Sequence, residues 1–242
     1  MTESALRAAL LDAAALLLPV SCAGCGADDR ALCDACAAAL VPDPIRRVLP
    51  DGTVVHAGLR YEGVVREVVV ALKADRPGLA RHLAPALVAA VAAAARAASE
   101  GPIPGGSIAR GPIGDGSLGG AAARAGSASV ELCAVPPSRR ARRRRGYDPV
   151  GRVLTAAGLR PARVFRPARP HAAQKTLGRA ERATHLGGVF AVRGRLDGRR
   201  FVLVDDVVTT GATLAAAAAA LRAAGAEVLG CAAVASTPRR SR

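Results

Sequence analysis

Two adjacent carboxylates, Asp205 and Asp206, stand directly after the apolar run Phe201–Val204. Val207 and Val208 follow, and then come Thr209, Thr210, Gly211, Ala212 and Thr213. A continuous apolar run of this kind marks a strand buried on both faces. Acids at the C-terminal end of such a strand lie where open parallel sheets place ligands, so packing alone does not account for them. A turn of small residues entering a helix aims several backbone N–H groups at one point, and the helix dipole adds positive potential there. Threonine hydroxyls add donors, and Gly211 lets a ligand approach the backbone closely. The loop therefore reads as a phosphate cradle, and the two acids beside it suit the hydroxyl donors of a ribose. A plain helix N-cap would explain one threonine and one acid, not two acids, three threonines and a glycine in succession. No Gly-Lys-Ser/Thr closes the loop, which excludes a Walker A motif.

A second constellation lies near the N-terminus. Cys22, Cys25, Cys33 and Cys36 form two Cys-x2-Cys pairs separated by seven residues. Paired knuckles of this spacing point to a zinc site with four thiolate ligands. Gly24 and Gly26 ease the first knuckle. Two disulfides are disfavoured in a cytosolic setting, and no thioredoxin-like unit stands nearby to support a redox pair. Four cysteines also suit iron, which ranks below zinc here. Cys133 and Cys231 sit in apolar, strand-like runs and read as plain core residues.

The chain has 242 residues, with 34 Lys and Arg against 19 Asp and Glu, for a net charge of +15. That balance favours anionic partners: nucleotides, nucleic acid or an acidic surface. Lys73 stands out because Lys175 is the only other lysine. A solvated helix end is its default reading, and contact with a phosphate or a second substrate is the sharper one. Arg139, Arg140 and Arg142–Arg145 form a dense basic run after Pro136-Pro137.

Several elements must position these groups. Thr53–Tyr61 reads as a strand. Glu62–Ala74 reads as a helix, with Val65, Val68, Val69 and Leu72 at helical spacing. Pro77 suits the opening of the next helix. Val130–Val135, Arg163–Phe165, Phe190–Val192, Phe201–Val204 and Glu227–Val234 read as strands. Pro149–Gly158 and Thr213–Ala224 read as helices, the second ended by Gly225, and Leu177–His185 reads as a polar helix or lid. Strand and helix alternate through the C-terminal half, which points to an α/β fold with a parallel sheet flanked by helices. Residues 1–45 are expected to hold an N-terminal helix and the cysteine knuckle. Residues 46–238 are expected to form the main domain, with a Gly/Ala/Pro-rich insertion at 98–129. Leu6–Val20 is apolar but short and carries Asp12, so no membrane span is expected and the setting reads as cytoplasmic.

The segment Phe201–Leu214 resembles the motif by which type I phosphoribosyltransferases bind 5-phosphoribosyl-1-pyrophosphate (PRPP). A cysteine knuckle ahead of such a domain resembles the ComF family of competence-associated proteins. That likeness extends to Tyr61-Glu-Gly with Leu72-Lys73, to Ala134-Val-Pro136, to Arg145-Gly146-Tyr147, and to Gln174, Leu177 and Arg182 ahead of Gly188-Val189-Phe190. Ala134 replaces a proline of the family pattern, Asp148-Pro149 replaces Asn-Gln, and His185 replaces Asn. The resemblance implies that Asp205 and Asp206 hold the ribose 2′ and 3′ hydroxyls. It implies that Thr209, Thr210, Gly211, Ala212 and Thr213 hold the 5′-phosphate beside Val207. Mg2+ is implied with the PRPP, and structural Zn2+ at the cysteines. Lys73 and Arg139 are candidate contacts to PRPP, with Arg139 or Arg140 toward its pyrophosphate. Two functions stay open. One is an enzyme moving phosphoribosyl to or from a base. The other is a protein of DNA uptake whose Arg142–Arg145 hold single-stranded DNA and which meets DNA-uptake proteins. A homodimer stays open as well.

Overall fold

The computed structural model describes residues 20–28, 30–99, 129–166 and 190–238. The expected helix before Val20, the body of the 98–129 insertion and the segment Leu177–His185 lie outside them. In chain order the elements are α1 (Asp34–Ala38), β1 (Ile45–Val48), β2 (Val54–Arg60), α2 (Gly63–Ala74), a 3-10 turn (Pro77–Leu79) and α3 (Ala80–Ser99). Then come β3 (Val130–Ala134), α4 (Arg139–Arg145), α5 (Pro149–Ala156), β4 (Phe165–Arg166), β5 (Ala191–Val192), β6 (Arg200–Val208), α6 (Ala212–Ala223) and β7 (Glu227–Ser236).

One five-stranded sheet runs in the order β1-β2-β7-β6-β3. Strands β2, β7, β6 and β3 pair in parallel, and β1 closes the edge antiparallel to β2. A short antiparallel ribbon joins β4 to β5. The expected parallel sheet is present, with one antiparallel strand added at its edge.

The apolar run of β6 is buried on both faces because helices cover both. Phe201 and Leu203 face Leu214, Ala217, Ala218 and Leu221 of α6. Val202 faces Ala90 and Ala94 of α3 on the opposite side, and Val204 joins the cluster built from α2, α3 and α5. A core with so few aromatic residues needs close approach between layers. Gly58 shows how it is reached: a Cβ there would stand 2.1 Å from the Ala86 carbonyl oxygen of α3.

α3 and its leading turn form the one stretch among the described helices long and apolar enough to cross a membrane. Leu83, Ala84, Ala86, Leu87, Ala90 and Ala94 are all buried in the core, which gives the apolar face an ordinary role.

Three local features differ from the sequence reading. β6 does not stop at Val204, because Asp205, Val207 and Val208 still pair with Ala233, Ala235 and Ser236 of β7. The arginine run is helical: the Ser138 hydroxyl accepts from the Ala141 N–H at 3.2 Å, and Gly146, at φ 72°, donates its N–H to the Arg142 carbonyl. β1 and α1 were not foreseen.

Candidate functional site

Strand β6 carries Asp205 and Asp206 to the C-terminal edge of the sheet. The Asp205 carboxylate accepts the Asp206 N–H at 2.8 Å. The Asp206 carboxylate accepts the Val207 N–H at 2.6 Å and the Lys73 ammonium at 2.9 Å. Burial, and then the negative charge of Asp206, push the Asp205 carboxyl up to about 7. The Asp206 N–H and Lys73 oppose that shift, and Asp148 adds to it. Two adjacent acids with one lysine between them form a site short of positive charge.

Beyond the acids the chain turns into α6 through Thr209, Thr210 and Gly211. Gly211 holds φ 83° and is pressed against Leu49, where an added Cβ would meet the Leu49 side chain at 2.2 Å. Only glycine fits that left-handed, crowded position. Thr209, Thr210, Ala212 and Thr213 are exposed around it, and Thr210 Oγ1 accepts the Ala212 N–H at 3.3 Å. The loop thus keeps its three threonines at the surface, with Thr213 beside the acids.

A cleft of about 290 Å³ opens beside this edge. Asp205, Asp206, Val207 and Thr213 form one wall, and Lys73 from the end of α2 lies among its lining residues. Val135–Ser138, Ala141, Arg145 and Asp148–Val150 complete the lining. Two polar atoms of this second wall, Arg145 Nε and Asp148 Oδ1, are buried without a partner among the described residues. The structure therefore brings Lys73 to the acids, which its default reading as a solvated helix end does not anticipate. Among the arginines, Arg145 faces the cleft, whereas Arg142, Arg143 and Arg144 are exposed. Arg139 begins α4 next to the cleft wall, and its side chain lies outside the described residues.

Arg145 and Asp148 were missed as a cleft pair. The signal was present: a Ser138 cap and the left-handed Gly146 bracket a short helix, and Gly146 turns the chain so that residues on both sides of it face one cleft.

The cysteine knuckle forms a separate cluster. The sulfurs of Cys22, Cys25, Cys33 and Cys36 all lie within 4.8 Å of one another, and those of Cys25 and Cys33 are 3.7 Å apart. Tetrahedral Zn–S bonds of about 2.3 Å require S···S separations of just under 4 Å. The Gly24 and Cys33 N–H groups donate to the Cys22 sulfur at 3.4 and 3.3 Å, the outer contacts that steady a thiolate ligand. Burial pushes the Cys22 thiol up, but the backbone N–H groups of Cys33, Cys25 and Gly24 outweigh it and bring the thiol down to about 6. Burial and then the neighbouring sulfurs push the Cys36 thiol up. This donor set fits zinc. Cys133 and Cys231 are fully buried core residues.

The fold and the site, with the family match over the C-terminal part of the chain, support a phosphoribosyltransferase-like protein. A family model described as the phosphoribosyl transferase domain matches residues 169–242, the part that carries β6, the acid pair, the threonine loop and α6. No curated protein matches the chain.

Proposed function

We propose that the protein is a phosphoribosyltransferase of the ComF type, which binds PRPP with Mg2+ and moves phosphoribosyl to or from a base-like acceptor. The observation that supports it is the cleft where Asp205, Asp206 and Thr213 meet Lys73 and Arg145. In this reading Asp205 and Asp206 accept hydrogen bonds from the ribose 2′ and 3′ hydroxyls. The N–H groups and hydroxyls of Thr209–Thr213 hold the 5′-phosphate, with Val207 packed beside them. Breaking the bond from ribose C1 leaves its electron pair on the departing pyrophosphate and positive charge on the sugar ring. Lys73 and Arg145 supply cations near the pyrophosphate, with Arg139 at the start of α4 as a third. When bound, Mg2+ supplies further neutralisation at the pyrophosphate and ribose oxygens. Positioning and charge placement carry the reaction. The four-cysteine centre holds structural Zn2+, the organisation is 1–45 and 46–238 with the 98–129 insertion, and the setting is cytoplasmic.

Isotope exchange between pyrophosphate and PRPP, scanned over candidate bases, tests this reading. Exchange that depends on a base supports an enzyme. Stoichiometric PRPP binding with no exchange for any base turns the reading toward a binding protein.

One observation favours that second reading, a role in DNA uptake. Arg142, Arg143 and Arg144 are exposed on α4 and have no carboxylate partner among the described residues. Three arginines on a single-strand backbone contribute about two units of salt slope, at roughly 0.7 per phosphate. Replacing the three with Gln removes that slope if single-stranded DNA or an acidic uptake partner docks there, and leaves PRPP affinity unchanged.

A further inference from the structure

The knuckle and the cleft grip the same helix. Gly24, between the first two cysteines, packs on the first turn of α2: a Cβ there would stand 2.9 Å from Val64 Cγ1 and 2.7 Å from the Cys36 sulfur. Ala23 and Leu32 pack against the cluster that contains Val65, Val68, Val69 and Leu72 of α2. At the other end, just past α2, the Arg76 guanidinium donates to the Ser21 carbonyl at 2.6 Å. Ser21 directly precedes the ligand residue Cys22. The same last turn of α2 serves the cleft. Lys73 donates to Asp206 at 2.9 Å, and the Tyr147 hydroxyl donates to the Leu72 carbonyl.

The knuckle has little structure to hold it without a metal. Its only helix among the described residues is α1, five residues long. A segment this small depends on its metal for order. The Ser21 carbonyl adjoins the ligand residue Cys22, and Arg76, which holds it, donates its own backbone N–H to the Ala71 carbonyl of the turn that carries Lys73.

We infer that the metal-bound knuckle positions Lys73 in the cleft through the last turn of α2, with Arg76 as the positioning residue, so that occupancy of the four-cysteine centre sets how tightly the cleft holds an anionic ligand. The inference rests on the reading of the cleft as a PRPP site. Lys73 is the cation paired with the acids on β6. When its turn loosens, Asp206 loses its counter-ion and the cleft turns more negative toward a polyanion.

The full-length protein is stripped with a thiol-compatible zinc chelator, desalted, and supplied with Mg2+. PRPP affinity is then compared with that of the zinc-loaded protein. Affinity falls by about tenfold or more on zinc removal, within the usual range of coupling between two sites. Arg76→Gln gives much of that loss with zinc present, and Arg76→Lys restores part of it. Lys73→Met is the discriminating variant. It binds PRPP more weakly, and zinc removal changes its affinity little, because the group through which coupling acts is gone. General unfolding would instead weaken Lys73→Met by the same factor as the parent.

Hydrogen exchange at Leu72, Lys73 and Ala74 provides a readout that needs no PRPP. Protection there drops when zinc leaves. Unchanged protection, or equal PRPP affinity with and without zinc, overturns the inference and leaves the PRPP site standing. Absence of PRPP binding in the zinc-loaded protein overturns the site reading, and the ligand half of the inference with it.

Discussion

The two ends of β6 handle charge in opposite ways. At the N-terminal end each acid among the described residues has a guanidinium. Arg199 grips Glu131 of β3 with two bonds of 2.7 and 2.6 Å, and Arg200 reaches Glu227 of β7 at 3.1 Å. The hydrogen bond from Arg199 holds the Glu131 carboxyl below the usual carboxylate range. At the C-terminal end, four residues beyond the apolar run begins, the balance reverses. Asp205 and Asp206 stand side by side with Asp148 near, and Lys73 is the one cation bonded to them among the described residues. Burial and the second acid push the Asp205 carboxyl up to about 7. A lowered carboxyl, Glu131 of β3, thus lies beside one end of β6, and a raised one, Asp205, lies at the other. The paired end fastens β3, β6 and β7 together. The crowded end is left with unbalanced negative charge, and perturbed carboxyls of this kind cluster at functional sites.

Two glycines test the contrast with the largest effect. Gly211 lies at the crowded end. Gly225, at φ 93°, lies at the paired end, where a Cβ would meet the Asp197 carboxylate at 2.2 Å. Gly211→Ala and Gly225→Ala should each lose about 1–3 kcal/mol of stability from the forced backbone, with the crowding adding to it. Thermal unfolding measures that loss. Only Gly211→Ala should also lose PRPP binding, by tenfold or more. An equal loss of binding in Gly225→Ala would mean that ligand affinity simply follows stability.

The next effect depends on pH. Below about pH 7 Asp205 carries a proton that PRPP must displace if both acids accept ribose hydroxyls. Affinity should therefore climb with pH by up to about tenfold per unit and level off above that point. Asp205→Asn should flatten the climb, and comparison with the parent removes the titration of PRPP itself. The sign for stability is opposite. A carboxyl raised from 3.8 to about 7 stabilises the fold below the lower value, and that contribution is lost as pH rises through the upper one. Asp205→Asn should accordingly raise the Tm more at pH 8 than at pH 5. A uniform change at both values would show that the carboxyl is not held protonated.

The smallest effect belongs to the paired end. Glu131→Gln should cost about 1 kcal/mol, since the bidentate pair is partly exposed. PRPP affinity should not move. Because Glu131 titrates low in the fold, its contribution is present above the ordinary glutamate range and is lost as pH falls. The parent and the variant should converge in acid.

Much of this contrast was legible in the residues. The run FVLVDDVVTTGATL placed the acids, the turn and the start of α6 because an apolar strand, a small-residue turn and a helix entry each leave a local mark. The cysteine spacing likewise marked its cluster. Other features depend on distant partners. β6 extends through Asp205 to Val208 because β7 continues beside it, and no local preference of two adjacent acids favours a strand. Lys73 looked like a helix end until the fold set it 2.9 Å from a residue 133 positions away. β1 reads Ile-Arg-Arg-Val, which hides its pairing, although Asp51-Gly52 before β2 is a hairpin signal that could have exposed it. The cleft face of Arg145 was lost within a run of like residues, where only the helix phase set by Ser138 and Gly146 separates it from Arg142–Arg144.

Calorimetric titration of PRPP and Mg2+ into the parent protein and into the Asp205→Ala, Asp206→Ala double variant tests whether the crowded end is a ribose-phosphate site. The parent should bind one PRPP per chain. The double variant should give no binding heat while keeping a cooperative unfolding transition, because the acids are not needed to fasten the sheet. Equal affinity in the two proteins, or no binding by the zinc-loaded parent, would contradict the assignment of Asp205 and Asp206 to the ribose.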